Sequence, residues 1–340
     1  MKTPKHSAAA LLPRAVLLAA LAGVAACEDQ VTAPVSDTRI ELSNASFSAW
    51  SPAVNVEALP GTNPNFNTAS LDGCPFVSRD GKTFFMASTR PGGVGGIDIW
   101  ISRRQSVGDP WGEPVNAGEP VNSTANDFCP TLDRDGHTFY FVSNRPGGFG
   151  GADIYVTHLG PDEFAPPRNL GAGVNSTADE ASPFPIPEPG VGPVLYFSSA
   201  RAGGFAADAP GAETGDSDIY RAESHGGDFG PAELVPGVNS AFEDGQPNVR
   251  RDALEIFFYS NRPGTLGATD IYSAARQSAF LDWSTPQNLG ANVNSAAGES
   301  RPSLSWDGTT LYFGSARPGG EGQSDIHVTT RARRRGSDAG

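Results

Sequence analysis

Five acidic residues occupy equivalent positions in five repeated segments of the chain, and carboxylates gathered in this way could bind a cation. Each acid lies five residues after an asparagine and three residues before a proline; the acids are Asp72, Asp127, Glu180, Asp244 and Glu299. At one mouth of an axial channel they would form an electronegative ring or a calcium site, because calcium prefers oxygen ligands. We expect the alternative, in which each acid caps a turn or pairs within its own repeat, because converging like charges repel.

A glycine-rich segment in each repeat carries an arginine before the glycines and an aspartate after them. In SNRPGGFGGADIY (143–155) the glycines lead into a run that is typical of a strand, whereas a phosphate-binding loop would lead into a helix. We therefore expect a bend between two strands, with the arginine and the aspartate paired across it. The predicted pairs are Arg90 with Asp98, Arg145 with Asp153, Arg201 with Asp218, Arg262 with Asp270, and Arg317 with Asp325.

Two of the three cysteines, Cys74 and Cys129, directly precede the proline that recurs in each repeat, and they lie in neighbouring repeats. In an exported protein they could form a disulfide. Neighbouring repeats can hold equivalent positions too far apart for a disulfide, so two buried thiols are the favoured interpretation. A catalytic thiol is not expected, because no histidine lies nearby in the sequence to activate it.

The remaining reactive residues form no catalytic or metal-binding pattern. The five histidines are scattered, without metal-ligand spacing and without a nucleophile motif beside them. We predict no catalytic residue, no metal and no cofactor. The acidic positions leave one exception open, which is a calcium ion bound in the channel.

These residues belong to a repeat that runs through most of the chain. Aligned on the arginine of the glycine-rich segment, the five units are 55, 56, 61 and 55 residues apart. Apolar runs such as TFFMAS precede the arginine, and Asp-Gly turns precede those runs in three units. Together with 41 glycines and 29 prolines, this pattern predicts an all-β chain of short strands joined by turns.

A leading strand completes four strands in each unit and predicts how the array closes. The segment WGEPVN (111–116) has a counterpart ahead of unit one in WSPAVN (50–55), whereas unit five has none after Arg331. The N-terminal segment should therefore supply the outer strand of the last sheet, which removes an open edge. We predict a five-bladed β-propeller of four-stranded blades over residues 46–331.

The repeat consensus SxDGxxLYFxSxRPGGxGxxDIY resembles the WD40-like propeller repeats of the TolB type, which occur in bacterial envelope proteins. Five copies in register extend over the chain from about residue 46 to Arg331. The resemblance implies a propeller fold and a place in the cell envelope. It says little about activity, because propellers support many functions.

The first 27 residues have the features of a targeting segment. Two lysines precede an apolar run that is too short for a membrane-spanning helix and ends at Cys27. Residues 24–27 resemble a bacterial lipobox, which implies a signal peptide and lipidation of Cys27; an ordinary secretory signal is the alternative. Residues 28–45 then form a flexible tether, and residues 332–340 a disordered basic tail.

Unit three departs from the repeat. The interval from Arg201 to Asp218 is 17 residues, against eight in the other units, and the added segment 205–217 is acidic. Residues 185–193 replace the Asp-Gly turn. Loops lengthened at one place on a rigid scaffold often carry recognition, so this blade is the expected partner-facing edge. An insertion without function is the alternative.

The formal net charge of −14 argues against nucleic acid and anionic lipid as partners. We predict a monomeric, lipid-anchored envelope lipoprotein, periplasmic or at the outer membrane, that binds an envelope protein or a cell-wall component without catalysis. The alternative is a glycoside hydrolase that uses two carboxylates at the channel mouth. Two cleft-facing carboxyl groups at a suitable separation would favour the hydrolase.

Overall fold

The computed structural model describes residues 47–161, 163–205 and 216–334. Over these residues the chain forms five antiparallel sheets arranged in a ring, with one short 3-10 turn as the only helical element. The predicted five-bladed β-propeller is confirmed. In this part of the chain, no helix is long and apolar enough to cross a membrane.

The strands are numbered in chain order, and the first of them belongs to the last blade. β1 is Val54–Asn55, followed by the 3-10 turn Val56–Ala58. Blade one contains β2 (Asp72–Val77), β3 (Thr83–Ser88), β4 (Asp98–Arg103) and β5 (Val115–Asn116). Blade two contains β6 (Asp127–Leu132), β7 (Thr138–Ser143), β8 (Asp153–His158) and β9 (Arg168–Asn169).

Blade three is the largest. It contains β10 (Glu180–Glu188), β11 (Gly192–Ser199), β12 (Asp218–His225), β13 (Asp228–Phe229) and β14 (Glu233–Leu234). Blade four contains β15 (Asp244–Val249), β16 (Glu255–Ser260), β17 (Asp270–Ala275) and β18 (Gln287–Asn288). Blade five contains β19 (Glu299–Leu304), β20 (Thr310–Ser315), β21 (Asp325–Thr330) and β1.

The first strand of each blade lies at the axis, where β2, β6, β10, β15 and β19 contact one another around the ring. Each of these strands carries a bulge, at which its register with the next strand shifts; in β2 the shift falls between Gly73 and Phe76. The other four bulges occupy the equivalent positions. A bulge bends a strand and re-aims its side chains.

The predicted Asp-Gly turns join the two inner strands of blades one, two and five. Gly81, Gly136 and Gly308 have φ angles of 70°, 77° and 78°, which glycine adopts without a Cβ clash. Blade four makes the same turn with Ala253 at a φ of 60°. These turns all lie at the same end of the axial strands, because they follow equivalent strands in each blade.

The ring closes as predicted. In blade five, Val54 pairs with Val328 and Asn55 with His327. Arg331 then holds the closure: its Nη1 and Nη2 donate to Glu255 at 2.8 and 2.7 Å, and its guanidinium carbon lies 4.5 Å from the Trp50 ring centroid. An arginine stacks on the leading tryptophan in two other blades, Arg104 on Trp111 at 4.0 Å and Arg276 on Trp283 at 4.1 Å.

Several predictions fall on residues that the structure does not describe. The signal peptide 1–27 with Cys27, and the tether 28–45, lie outside the described residues. So do residues 206–215 of the acidic insertion and residues 335–340 of the basic tail. Within the described part, backbone pairing continues to Arg333, which bridges Phe47.

Candidate functional site

The five repeated carboxylates do not form the candidate ring at the channel mouth: each is buried and paired within its own blade, which is the expected alternative. Asp127 shows the arrangement: it accepts hydrogen bonds from N and Oγ of Ser123 at 2.6 and 2.7 Å, and from Nη2 of Arg145 at 2.7 Å. The equivalent ion pairs are Asp72–Arg90, Glu180–Arg201, Asp244–Arg262 and Glu299–Arg317. All five acids have a relative exposure of 0%, so they form no electronegative ring at the channel mouth.

The predicted pairing of arginine with aspartate across the glycine-rich bend is wrong. Each arginine reaches back to the acid of its innermost strand, as the pairs above show. The bend aspartates accept backbone amides instead: Asp153 accepts from Phe149 N at 2.6 Å and from Gly150 N at 3.3 Å. Asp98 and Asp270 bind the bend in the same way, Asp325 accepts from Glu321 N, and Asp218 is buried at this position in blade three. The amides of a tight bend need an acceptor, and the nearest carboxylate supplies it.

Cys74 and Cys129 form a disulfide between blades one and two, so the interpretation as two thiols is also wrong. Their Cα atoms lie 4.8 Å apart, well within the range of disulfides. The reason is backbone conformation: both residues have left-handed φ angles, 46° and 48°, at the strand bulges. The bulges bring neighbouring axial strands close enough for the two sulfurs to bond.

The Asp-Gly turns and their blade-four equivalent define one side of the ring, here called the turn face. It comprises residues 78–82, 133–137, 250–254 and 305–309. The residue before the aspartate is Arg79, Arg134, Arg251 or Trp306. The guanidinium carbons of Arg79 and Arg134 lie 5.0 and 5.8 Å from the ring centroid of Trp306. One indole is thus flanked by two cations at distances suited to cation–π attraction.

These side chains surround a cavity at the axis, which we call the turn-face cavity. Its wall is largely apolar and includes Phe76, Leu132, Phe184, Ile186 and Leu304. Grooves of about 410 and 530 Å³ adjoin it on either side of the blade-two turn, and Arg79 and Arg134 line both grooves. Grooves of this volume are typical of sites for small molecules or for short segments of a larger ligand.

Most carboxylates of the turn face are engaged by their own turns. Asp135 accepts hydrogen bonds from N of His137 and of Thr138 at 2.7 and 2.8 Å. Burial acts to raise the pKa of Asp135, but these hydrogen bonds outweigh it, and the pKa is lowered. The pKa values of Asp80 and Asp307 are lowered for the same reasons.

The exposed arginines of the turn face, unlike these carboxylates, are not engaged in ion pairs with charged neighbours in the described part of the chain. Arg79, Arg134 and Arg251 form no ion pair with any residue that the structure describes. Their N–H groups therefore remain available to a ligand.

Asp133 differs from the other carboxylates because it lines the turn-face cavity itself. It accepts a hydrogen bond from N of Arg134, and burial raises the pKa of Asp133. Among the described residues that line this cavity it is the only carboxylate. Asp80 and Asp135 line the adjoining grooves, and glycoside cleavage by paired acids needs two carboxylates.

Sequence reasoning used these turns only as turn signals and missed the residues that make the site. A signal was present in the aligned turns SRDGK, DRDGH and SWDGT, whose second position is arginine twice and tryptophan once. A position that changes within an otherwise repeated element is not required by the blade, so it is free to serve recognition.

No protein-family model and no curated protein sequence matches the chain. Solved structures do: an α-L-arabinofuranosidase from Lactobacillus brevis aligns with a TM-score of 0.51 at 13% identity, over 84% of this chain and 96% of that chain. An endo-arabinase from Bacteroides thetaiotaomicron aligns at 0.51 and 15% identity, over 79% and 97%. A protein assigned as TolB from Agrobacterium tumefaciens aligns at 0.45 and 14% identity, over 85% and 99%. At such low identity the similarity to the arabinofuranosidase and to the endo-arabinase shows the shared propeller fold and no activity.

Proposed function

We propose that this protein is a binding propeller that captures a ligand bearing acidic groups on its turn face and does not cleave it. The observation that carries the proposal is the position of Trp306 between Arg79 and Arg134, above a largely apolar cavity. An aromatic ring beside unpaired guanidinium groups offers a ligand both apolar contact and charge-assisted hydrogen bonds.

The charge distribution supports an acidic ligand. The chain has a net charge of −14, so most of its surface repels an anion. Arg79, Arg134 and Arg251 place three exposed guanidinium groups, without an ion pair to any described residue, on one side of that surface. A guanidinium that stacks on an aromatic ring still presents its N–H edge, which binds a carboxylate through two parallel hydrogen bonds.

The partner in this proposal is an envelope protein or a cell-wall component that carries a run of carboxylates. The protein would act as a monomer, held to a membrane of the envelope by a lipid on Cys27. Support for the location comes from the lipobox-like residues 24–27 and from the resemblance of the repeats to the TolB type.

Calorimetric titration with an octaglutamate peptide at low salt tests the site. We expect Arg79→Gln, Arg134→Gln and Trp306→Ala each to lower the affinity about tenfold, which is the loss of one good charge-assisted or stacking contact. The matched control is Arg168→Gln, because Arg168 is exposed on the outer strand β9 and loses the same charge. Equal losses in the three arginine variants, with no loss in Trp306→Ala, would mean that only overall charge matters.

Photo-cross-linking in intact envelopes tests the class of partner. A photoreactive amino acid at position 306 should capture an acidic protein or an acidic polymer, and one at position 168 should not. Capture from the outer edge alone, with none from position 306, would contradict a site on the turn face.

A glycoside hydrolase remains the second candidate because of Asp133 and the fold. The carboxyl group of Asp133 lines the turn-face cavity with a raised pKa, as a general acid would. The similar structures with TM-scores of 0.51 named above act on arabinose-containing substrates by name. Release of sugar from arabinan by the wild type, abolished by Asp133→Asn, would replace the binding proposal with this one.

A further inference from the structure

A second cavity lies on the axis, among the bulges of the five innermost strands, and its polar groups are not satisfied. One residue at each bulge has a left-handed backbone, with φ between 46° and 57°; the five are Cys74, Cys129, Ser182, Gln246 and Arg301. Each precedes a proline, and these residues and their prolines line the cavity. A left-handed φ is costly outside glycine, so its occurrence in all five blades shows that the ring requires it.

The five positions share a backbone conformation but carry different side chains. On one side the disulfide joins Cys74 to Cys129, and Oγ of Ser182 donates to Sγ of Cys129 at 3.4 Å. On the other side stand Gln246 and Arg301. A Cβ atom on Gly73 would lie 2.8 Å from Nη1 of Arg301, so the arginine reaches from blade five to the backbone of blade one across a glycine that leaves it room.

Arg301 carries its charge into this cavity without a counterion. Its Nε and the Oε1 of Gln246 are buried and have no hydrogen-bond partner, and Arg301 forms no ion pair with any described residue. Its titratable neighbour is the phenol of Tyr259, which donates its own hydrogen bond to Glu243. Burial lowers the pKa of Arg301, as expected for a cation taken from water without compensation.

Arg301 is half-buried as a whole residue, but its buried Nε has no partner, and a charge in such a place is normally paired. The groups around Arg301 suit an anion. The side-chain amide of Gln246 can turn its NH₂ towards the same point, because its oxygen has no donor to keep it in place. The free volume of the cavity, about 40 Å³, holds about three water molecules or one small anion.

We propose that the axial cavity binds one small monovalent anion from solution, a halide or a short carboxylate such as formate. The guanidinium of Arg301 supplies the positive charge and two or more N–H donors, and the amide of Gln246 supplies a further donor. The bound ion would join blades four, five and one at the axis, opposite the disulfide that joins blades one and two. The residues that would hold the ion differ from Arg79, Arg134 and Trp306 of the turn face, although Phe76 and Phe184 line both cavities.

Thermal unfolding in different sodium salts at constant ionic strength tests the proposal, with gluconate as the reference anion because it is too large for the cavity. We expect chloride and formate to raise the melting temperature of the wild type in a saturable way, by about 3 °C at ten times the dissociation constant. Arg301→Gln should abolish this rise, and Gln246→Ala should weaken the affinity about tenfold. The control Arg168→Gln should keep the full response.

Two further results keep the test decisive. Arg301→Gln in gluconate should melt no lower than the wild type, because it removes a half-buried charge that has no ion pair with any described residue; this also shows that the variant folds. Crystals grown in bromide should show one anomalous peak beside the Arg301 guanidinium. An unchanged chloride response in Arg301→Gln, an equal response of the wild type to gluconate, or bromide found only elsewhere would each overturn the proposal.

Discussion

The two sides of the ring treat their charges in opposite ways. On the side where the innermost strands begin, the repeated carboxylate at the start of each innermost strand is buried and paired with an arginine of its own blade, as in Asp127 with Arg145. On the turn face, Arg79, Arg134 and Arg251 are exposed and form no ion pair within the described part of the chain. The first set occurs in all five units, and the second set is interrupted by Trp306 and by the longer hairpin of blade three. The contrast teaches that residues repeated in every unit build the blades, whereas residues that differ between units include exposed groups that can bind a ligand.

The largest effect expected from this contrast concerns two arginines of the same blade. Arg145→Met leaves Asp127 buried and unpaired, so the free energy of unfolding should fall by about 3–5 kcal/mol. Arg134→Met, on the turn face, removes an exposed and unpaired arginine and should change it by less than about 0.5 kcal/mol. Urea denaturation of both variants measures the difference, and similar losses would remove the distinction between the two sides.

A smaller effect is expected from the disulfide, which breaks the fivefold symmetry at the axis. Replacing Cys74 and Cys129 together by serine frees a loop of 55 residues in the unfolded chain. On the chain-entropy account the free energy of unfolding should fall by about 2–4 kcal/mol. Denaturation with and without a reductant gives the same comparison in the wild type. No difference between the oxidised and reduced proteins would show that the link adds nothing to the ring.

The smallest effect concerns a carboxyl group that has no arginine. Glu57, in the 3-10 turn, accepts a hydrogen bond from N of Asn67 at 3.0 Å. Burial, and then the nearby negative charge of Glu321, raise the pKa of Glu57 to about 7. The folded protein therefore binds a proton at Glu57 more tightly than the unfolded chain does, and stability is lost as the pH rises from about 5 through 7.

Because Glu57 is partly exposed, this loss should be about 1 kcal/mol or less. Urea denaturation at pH 5, 6, 7 and 8 measures it, and Glu57→Gln should flatten the dependence. Asp80→Asn is a useful comparison, because the pKa of Asp80 is lowered and its contribution has the opposite sign. A flat profile in the wild type would contradict the assignment.

The architecture could be predicted from the sequence because propellers repeat in sequence as they do in space. The intervals between the repeated arginines set the number of blades, and the match of WSPAVN with WGEPVN placed the closing strand. The strands β3 and β7 coincide with the apolar runs TFFMAS and TFYFVS. The outer strands are much shorter than the segments that predicted them; within 111–118 the strand itself comprises only Val115–Asn116.

The contacts within a blade could not be predicted in the same way. Arg90 and Asp98 are close in sequence, but Asp98 accepts hydrogen bonds from the bend amides. Arg90 therefore pairs with Asp72 on the neighbouring strand. Which carboxylate an arginine meets depends on how the strands stack, and spacing along the chain does not reveal that. The disulfide was missed for a similar reason, since it depends on left-handed bulge residues.

The candidate sites depend on residues that differ between repeats, and comparison of the units could have found them. The residue before the aligned proline is Cys in two units and Ser, Gln or Arg in the other three. The residue before the aligned turn aspartate is arginine in some units and tryptophan in another. The sequence could not show where in the ring these side chains would lie. The bulges and the turns bring these positions to the axis and to its mouth, where single substitutions from five blades come together.

The closure of the ring has a consequence for how the protein is made. β1 precedes the strands of blades one to four in the chain, but its partner β21 follows them, since Val54 pairs with Val328. Blades one to four can therefore form before β21 is available, while β1 remains without its partner. A chain that stops before β21 therefore leaves this strand and the interrupted sheet with open edges, which are surfaces for pairing with other chains.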